Sequence, residues 1–268
     1  MTGTRRIAWR VLMIVALPAI LFAAWWFGSA NSTNFLNPPL SRILEQYAKF
    51  WFSGDSWSDW PIITETVPGL TRLFLGYASA LVVGIVLGVA IGSSRALRAY
   101  VEPVLELFRA IPPPILVPIF TLFLGIGDEM RIAVIAMGAL WPILLNTVEG
   151  VRGLDPVLRD TAKAYRIGGV RRITQLVLPG ASPQIVTGAR QALSIAIILM
   201  VISEMFTAVD GLGFTIVSFQ RSFAIPAMWS GVILLGLLGV LLSLLFKVIT
   251  DRVLAWYHGY LQSQRGGN

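Results

Sequence analysis

The chain has 268 residues, 56% of them hydrophobic and 13% charged, with a mean hydropathy of +0.74. That composition excludes a soluble globular domain and is sufficient for several membrane spans. The formal net charge of +7 does not point to nucleic acid, because the basic residues lie in short blocks between apolar runs, without a recognisable DNA- or RNA-binding motif, and the positive-inside rule accounts for them. Cysteine is absent, which excludes disulfides, and His258 is the only histidine. With no clustered carboxylates either, no metal site and no catalytic residue is expected.

Thr2 to Arg10 is basic and Val11 to Phe27 is apolar, ending in Trp25 and Trp26, which suit a membrane interface. Gly28-Ser29-Ala30 would serve a signal peptide as a cleavage site, but the run with its flanks is long enough to span, so residues 1–27 are read as a transmembrane anchor with a cytoplasmic start. Residues 28–66 form an outer segment. Within it Leu40, Ile43, Leu44, Tyr47 and Trp51 recur at helical spacing behind Pro38 and Pro39, the pattern of an amphipathic helix at the outer face. Asn31-Ser32-Thr33 has the form of a glycosylation acceptor, with nothing else to mark a eukaryotic secretory protein.

Residues 67–250 hold five further spans. The second, 67–92, carries Gly76, Ala80, Gly84, Gly88 and Gly92 at an unbroken interval of four, so another helix is expected to pack closely on that face. The third begins near Pro103 and meets Pro112, Pro113, Pro114 and Pro118 before Gly125 and Gly127; its backbone must be kinked or interrupted, either as a pathway wall or as a kink packed against neighbours. The fourth, 130–148, contains Trp141-Pro142 and Asn146.

A polar loop, 150–182, follows. Asp155 and Pro156 make a cap and first turn, Val157, Leu158, Thr161, Ala162 and Tyr165 share a face, and Gly168 and Gly169 break the helix. Ile173, Leu176 and Val177 begin a second stripe expected to stop before Pro179, giving helix, hinge and helix. The fifth span starts with Ser182 as cap and Pro183 as first turn, repeats Gly188, Ala192 and Ala196, and ends at Ser203-Glu204-Met205. An outer loop from Val209 to Ala224 contains the turn Asp210-Gly211-Leu212-Gly213; the sixth span, 226–246, leads to a cytoplasmic tail, 251–268, that is loose after Gly259. With both termini inside, only Arg42, Lys49, Arg131 and Arg221 of the assigned basic residues fall outside, Arg72 and Arg190 being within or near spans.

No G-x-x-x-x-G-K-[ST] occurs, so the chain is not expected to hydrolyse ATP. Gly211-Leu212-Gly213 is too short for a dinucleotide fingerprint, and the serines have no partnering histidine. Glu204 and Arg190 are charged at membrane depth, which makes them candidates for a translocation pathway; the alternative is that each snorkels at an interface. Fourteen residues of helix separate them by about 21 Å, too far to pair directly. Arg109 and Asn146 complete the pathway candidates.

The loop DPVLRDTAKAYRIGGVRRITQLVLPGASP resembles the cytoplasmic EAA loop of ABC-importer permeases. Asp160, Thr161 and Ala162 take the Glu-Ala-Ala places, Arg166 the glycine place, Leu176 the isoleucine place, and Leu178-Pro179 closes the pattern; Asp160, Thr161 and Arg166 depart from it. Leu107-Phe108-Arg109-Ala110-Ile111-Pro112-Pro113, Gly125-Ile126-Gly127, Ser203-Glu204-Met205 and Gly211-Leu212-Gly213-Phe214 follow in the order seen in the nitrate, sulfonate, taurine and bicarbonate branch, from Pro38 to Gly259.

The resemblance implies an all-α type I importer permease of six transmembrane helices in the bacterial inner membrane, with the coupling loop between the fourth and fifth spans. It implies a second permease copy, most simply a homodimer, and two ABC ATPase subunits that bind ATP and Mg, with no cofactor in this chain. It further implies a substrate-binding protein outside that hands over a small anionic solute of the nitrate, sulfonate, taurine, bicarbonate or aromatic-acid type. Residues 157–167 are the expected docking helix, with Leu158, Ala162 and Tyr165 as packing face, Asp160 making a charge-assisted contact, and Gly168, Gly169 and Pro179 joining it to the spans. The competing class is a secondary transporter or channel, whose usual trace, matching interruptions in two halves, is not evident here.

Overall fold

The computed structural model describes residues 3–207, 209–257 and 259, with side chains described from residue 16 onward except Thr207. The end of the expected tail, 260–268 with Arg265, as well as His258 and Thr2, lies outside the described residues, as do the side chains of Arg5, Arg6 and Arg10.

Every regular element among the described residues is helical. In order they are α1 (Gly3–Ser29), α2 (Leu40–Trp51), α3 (Pro61–Thr64), α4 (Thr66–Ser93), α5 (Arg95–Arg109), α6 (Leu116–Leu124), α7 (Asp128–Arg152), α8 (Pro156–Ala164), α9 (Gly169–Arg172), α10 (Leu178–Thr207), α11 (Leu212–Arg221) and α12 (Ile225–Val253). The chain divides into two compact units, Met1–Glu65 with Thr215–Leu234, and Thr66–Phe214 with Leu235–Asn268.

In the first unit the amphipathic α2 spends its apolar face internally. Leu40, Ile43 and Trp51 are buried, Trp51 Nε1 donates to Ser230 Oγ at 3.0 Å, and Phe50 meets Phe219 edge-on at 4.9 Å. Ser29 Oγ accepts from the Leu40 backbone at 3.1 Å, joining the end of α1 to the start of α2.

The second unit is organised by α4, α7 and α10. Gly76, Ala80, Gly84, Gly88 and Gly92 leave a groove on α4 into which Ile135, Ala139, Ile143, Thr147 and Val151 of α7 fit, all five buried. A Cβ added at Gly88 would stand 2.5 Å from Thr147 Cβ, so the two backbones are as close as glycine permits. Both series rise by four, so α4 and α7 run parallel, in register over about 24 Å. Helix α10 runs antiparallel to α7: Leu199 lies over Gly138, Asn146 against Gly188, and Gln184 against Gly150.

Among the described residues, four helical segments are long and apolar enough to cross a membrane: Pro61–Ser93, Asp128–Arg152, Gly169–Phe206 and Ile225–Val253. Helices α5 and α6 make up to a fifth span as a pair bent by 77°, and Ala16–Ser29 is a shorter apolar helix. The third span is therefore interrupted, as its prolines required, but its first helix starts at Arg95 and not near Pro103. Charged Arg95, Arg98, Glu102, Glu106 and Arg109 keep α5 amphipathic, and the Pro112-Pro113-Pro114 run, which supplies no backbone donors, ends it and turns the chain.

Two other expectations are corrected. The stripe after Gly169 does not stop before Pro179, and Ser182-Pro183 does not start the fifth span; helix runs on through both prolines into α10. A π turn at Ile173–Val177 loosens the backbone ahead of Pro179, and Ser182 Oγ donates at 2.8 Å to the Pro179 carbonyl that Pro183 cannot serve. The segment Val209–Ala224 is not mainly loop either, because α11 begins at Leu212 immediately after Gly211.

Candidate functional site

The polar loop between α7 and α10 is a capped helix fixed to the end of a span. Asp155 Oδ1 accepts from the Val157 backbone at 2.8 Å at the start of α8. At its other end Ile167 N donates to Ala162 O at 2.8 Å and Arg166 N to Lys163 O at 2.9 Å, a Schellman closure. That closure needs a left-handed residue, and Arg166 supplies it with φ 55°. The glycine place of the EAA pattern thus keeps a glycine's backbone shape under a different side chain. The helix is Pro156–Ala164, shorter than the expected 157–167, because Tyr165 to Ile167 form this closure.

Arg159 ties α8 to α7: its Nη2 donates to Val151 O at 3.0 Å and also to Arg152 O, carbonyls of the last turn of that span. Beneath the loop, Val89, Val151, Leu154, Val177 and Ala181 form a buried cluster. Ala162 is buried within the chain, whereas Leu158 and Tyr165 are exposed, Tyr165 by 78%. Val157 and Val170 are similarly open, at 70% and 75%. Asp160 pairs with Lys163 at 2.9 Å, and Thr161 donates to Val157 O. Gly168 is extended, Gly169 has φ 57°, Leu176 and Leu178 are half-buried, and Pro179 is exposed.

At the opposite end of the α4–α7 seam lies an ion network that the sequence did not announce. The register that sets Gly76 against Ile135 brings Arg72 and Arg131 together one turn earlier, two buried guanidinium groups side by side. Like charges require anions between them. Asp210 bridges both, with Oδ2 at 2.6 Å from Arg72 Nη2 and Oδ1 at 2.5 Å from Arg131 Nη1. Asp128, at the N-terminus of α7 where a helix favours negative charge, accepts from Arg72 Nε at 2.7 Å.

Glu204 comes from α10, fully buried, with Oε1 at 3.7 Å from Arg72 Nη1 and Oε2 accepting from the Gly213 backbone at 2.9 Å. Gly69 and Gly211 leave room for its carboxyl group, where a Cβ at either place would collide, and Gly211 also needs its φ of 103°. Partial burial pushes the Asp210 carboxyl up, but hydrogen bonds from Arg72 and Arg131, with their charge, outweigh it and hold the group below the usual carboxylate range.

The remaining pathway candidates separate into two places. Asn146 donates to Pro142 O at 2.8 Å and to Gln191 Oε1 at 3.3 Å, which sets it against α10, the helix that carries Arg190. Arg190 is exposed. Arg109 lies elsewhere, on α5, paired with Glu106 at 2.5 Å. Arg72, Arg131, Asp128, Asp210 and Arg159 were not recognised as site residues from sequence. Arg72 and Arg131 carried one signal, charge at a span boundary, while Asp210 carried only its turn.

The family described as "Binding-protein-dependent transport system inner membrane component" matches residues 80–256. The chain is similar to the taurine transport system permease protein TauC of Escherichia coli (strain K12), at 28% identity over 97% of this chain and 96% of that protein. It is similar also to the putative aliphatic sulfonates transport permease protein SsuC of Bacillus subtilis (strain 168), at 26% identity over 96% and 91%. Among solved structures, the MetNI methionine ABC transporter in an inward-facing form matches with a TM-score of 0.61 at 22% identity, over 75% of this chain and 98% of that one, a likeness of fold.

Proposed function

We propose, from the premise that this chain belongs to the family of binding-protein-dependent transport system inner membrane components, that it is the membrane-spanning subunit of an ATP-driven importer for a small anionic solute. Such a chain is an ABC transporter permease and a multi-pass membrane protein. In the reading proposed here it sits in the bacterial inner membrane with six spans and both termini inside, α1 and the bent α5–α6 pair completing the count. Two copies form the passage, a substrate-binding protein delivers the solute outside, and two ATPase subunits with ATP and Mg act inside.

The observation that carries this reading is the α7–α10 loop. A short helix capped at both ends and pinned to the last turn of a span by Arg159 leaves Val157, Leu158, Tyr165 and Val170 open. Apolar side chains on a rigid polar loop mark a surface made to be covered by protein. Docked in a groove of the ATPase, α8 passes the closure of the two ATPases to α7 through Arg159 and the buried cluster beneath. Ala162 belongs to that internal support, so the docking face consists of Val157, Leu158 and Tyr165, with Asp160 and Lys163 beside it. The substrate class is supported by the similarity to TauC, a taurine transport permease, and SsuC, a putative aliphatic sulfonates transport permease, since taurine is itself a sulfonate.

The test is copurification from native membranes. The wild-type chain should bring down a subunit that carries a phosphate-binding loop and hydrolyses ATP, and Tyr165→Asp, by burying an unpaired charge, should weaken that association by about 3 kcal/mol, roughly a hundredfold. A Tyr165→Asp chain that inserts normally and retains its ATPase in full would end the docking role of α8.

A further inference from the structure

Arg190 has no employment within the chain. It lies close to the middle of Leu178–Thr207, and among the described residues it makes no hydrogen bond and no ion pair. The rotation of α10 at this level is fixed. Tyr77 Oη donates to Ala189 O at 2.8 Å, Gly188 abuts Pro142 O and Asn146, and Ala189, Ala192 and Leu193 are buried. Arg190 therefore points away from α4 and α7.

Thr187 and Ser194 share that side, and Gln184 and Gln191 stand at its border with α7, all exposed. At 100° per residue these five occupy about one third of the helix circumference. One face of an apolar span is thus lined with amides, hydroxyls and a guanidinium, a pattern that lipid does not tolerate. Arg190 lies about 18 Å along the helix from Leu178 and about 21 Å from Glu204. Such a face borders water. The planar guanidinium fork matches the coplanar oxygens of nitrate or bicarbonate and two oxygens of a sulfonate, and Gln191, the next residue of the helix, adds an amide group.

We propose that Arg190 is a midway relay for the anionic group of the substrate in a water-filled passage along this face of α10, and thus the residue that makes the passage selective for anions. The inference rests on the importer reading and sharpens it to one contact.

The chain has no cysteine, so an introduced thiol is the only one it carries, and labelling is read on this chain alone. Single cysteines at Thr187 and Ser194, in the assembled complex in native membranes, are exposed to 2-sulfonatoethyl methanethiosulfonate, itself a sulfonate, and to its cationic trimethylammonium counterpart, with rates normalised to a free thiol in water. Both positions should react, with the anionic reagent favoured about tenfold by the local positive potential. That preference should fall to near one in Arg190→Gln and persist in Arg190→Lys, which also controls for folding. Leu193→Cys, buried in the core cluster, should stay unreactive.

Unreactive thiols at both positions would overturn the proposal, as would reaction without charge preference or a preference unchanged in Arg190→Gln. An ATPase assay on the same membranes keeps the two readings apart. Loss of the preference with a coupled ATPase present sinks the relay alone. The preference without any associated ATPase sinks the importer reading and leaves the relay standing.

Discussion

Removing Arg72 tests whether the buried ion network holds α4, α7 and α10 together. Its guanidinium contacts Asp128 at 2.7 Å, Asp210 at 2.6 Å and Glu204 at 3.7 Å. At an effective dielectric constant near 20, each such contact has a gross Coulomb energy of about 4 to 6 kcal/mol. Most of that offsets the cost of taking the charges out of water. What Arg72→Gln exposes is the imbalance left behind: Arg131 alone would face three carboxyl groups, one of them fully buried. The expected loss is about 3 to 5 kcal/mol, as for other broken buried pairs.

Asp210→Asn should cost less, because two arginines would still face two carboxyl groups and Asp210 is 37% exposed, so part of its contribution is already screened. Adding Glu204→Gln to Arg72→Gln should return about 1 to 3 kcal/mol by removing the carboxylate that lost its cation. The assay is reversible unfolding in mixed detergent micelles, with all five proteins, Glu204→Gln alone included, compared at one salt concentration. If Arg72→Gln lay within about 0.5 kcal/mol of wild type, or if the two substitutions simply added, the network would be a surface ornament and the reasoning would fail.

Acid should reproduce part of this effect. Asp210 titrates below the usual carboxylate range, so its contribution is fully present above the unfolded value near 4 and is lost only as pH falls below that towards the folded one; unfolding between pH 5 and 8 should show no step from it, and Asp210→Asn should remove the acid limb. Gly88→Ala should cost about 1 to 3 kcal/mol by forcing α4 off Thr147, while Gly239→Ala, in an α12 position with open space, should stabilise by up to about 1 kcal/mol; equal effects in the same unfolding assay would deny the tight seam. Arg166→Gly should relieve a left-handed residue and stabilise α8 by about 1 kcal/mol, read as slower amide hydrogen exchange at Ala162 to Ile167.

Local features were legible because the signal and its cause lay within one or two helical turns. The stripe Leu40 to Trp51 gave α2 its limits, Asp155-Pro156 gave the start of α8, and the interval of four from Gly76 to Gly92 announced a close-packed helix face. What it faced was not legible, since Ile135 to Val151 read as ordinary span residues until the register paired them. Prolines misled in one direction. Pro112 to Pro114 do end a helix, but Pro179 and Pro183 do not, because a π turn and the Ser182 hydroxyl supply what those prolines lack. The network was hidden by distance: 56 residues separate Arg72 from Asp128 and 138 separate it from Asp210, and no local pattern links them.

Helix α7 is the member through which these parts communicate. Its first turn carries Asp128 and Arg131 of the network, its length is locked into α4 over five successive small residues, and its last turn is held by Arg159 of the loop. A push on α8 therefore cannot be absorbed by α7 bending away from α4, because separating that seam exposes the bare glycine face along its whole length. In the proposed cycle α4 and α7 move as one body, and compliance is confined to the Gly168-Gly169 hinge, the π turn at Ile173–Val177 and the broken stretch between α5 and α6. Glu204 and Gly213 then join the far end of α10 to the start of α11, so a tilt begun at the loop reaches the network as a change in the Arg72 and Glu204 separation, now 3.7 Å. That separation is the longest of the three Arg72 ion contacts. It is the one such a tilt would open or close first.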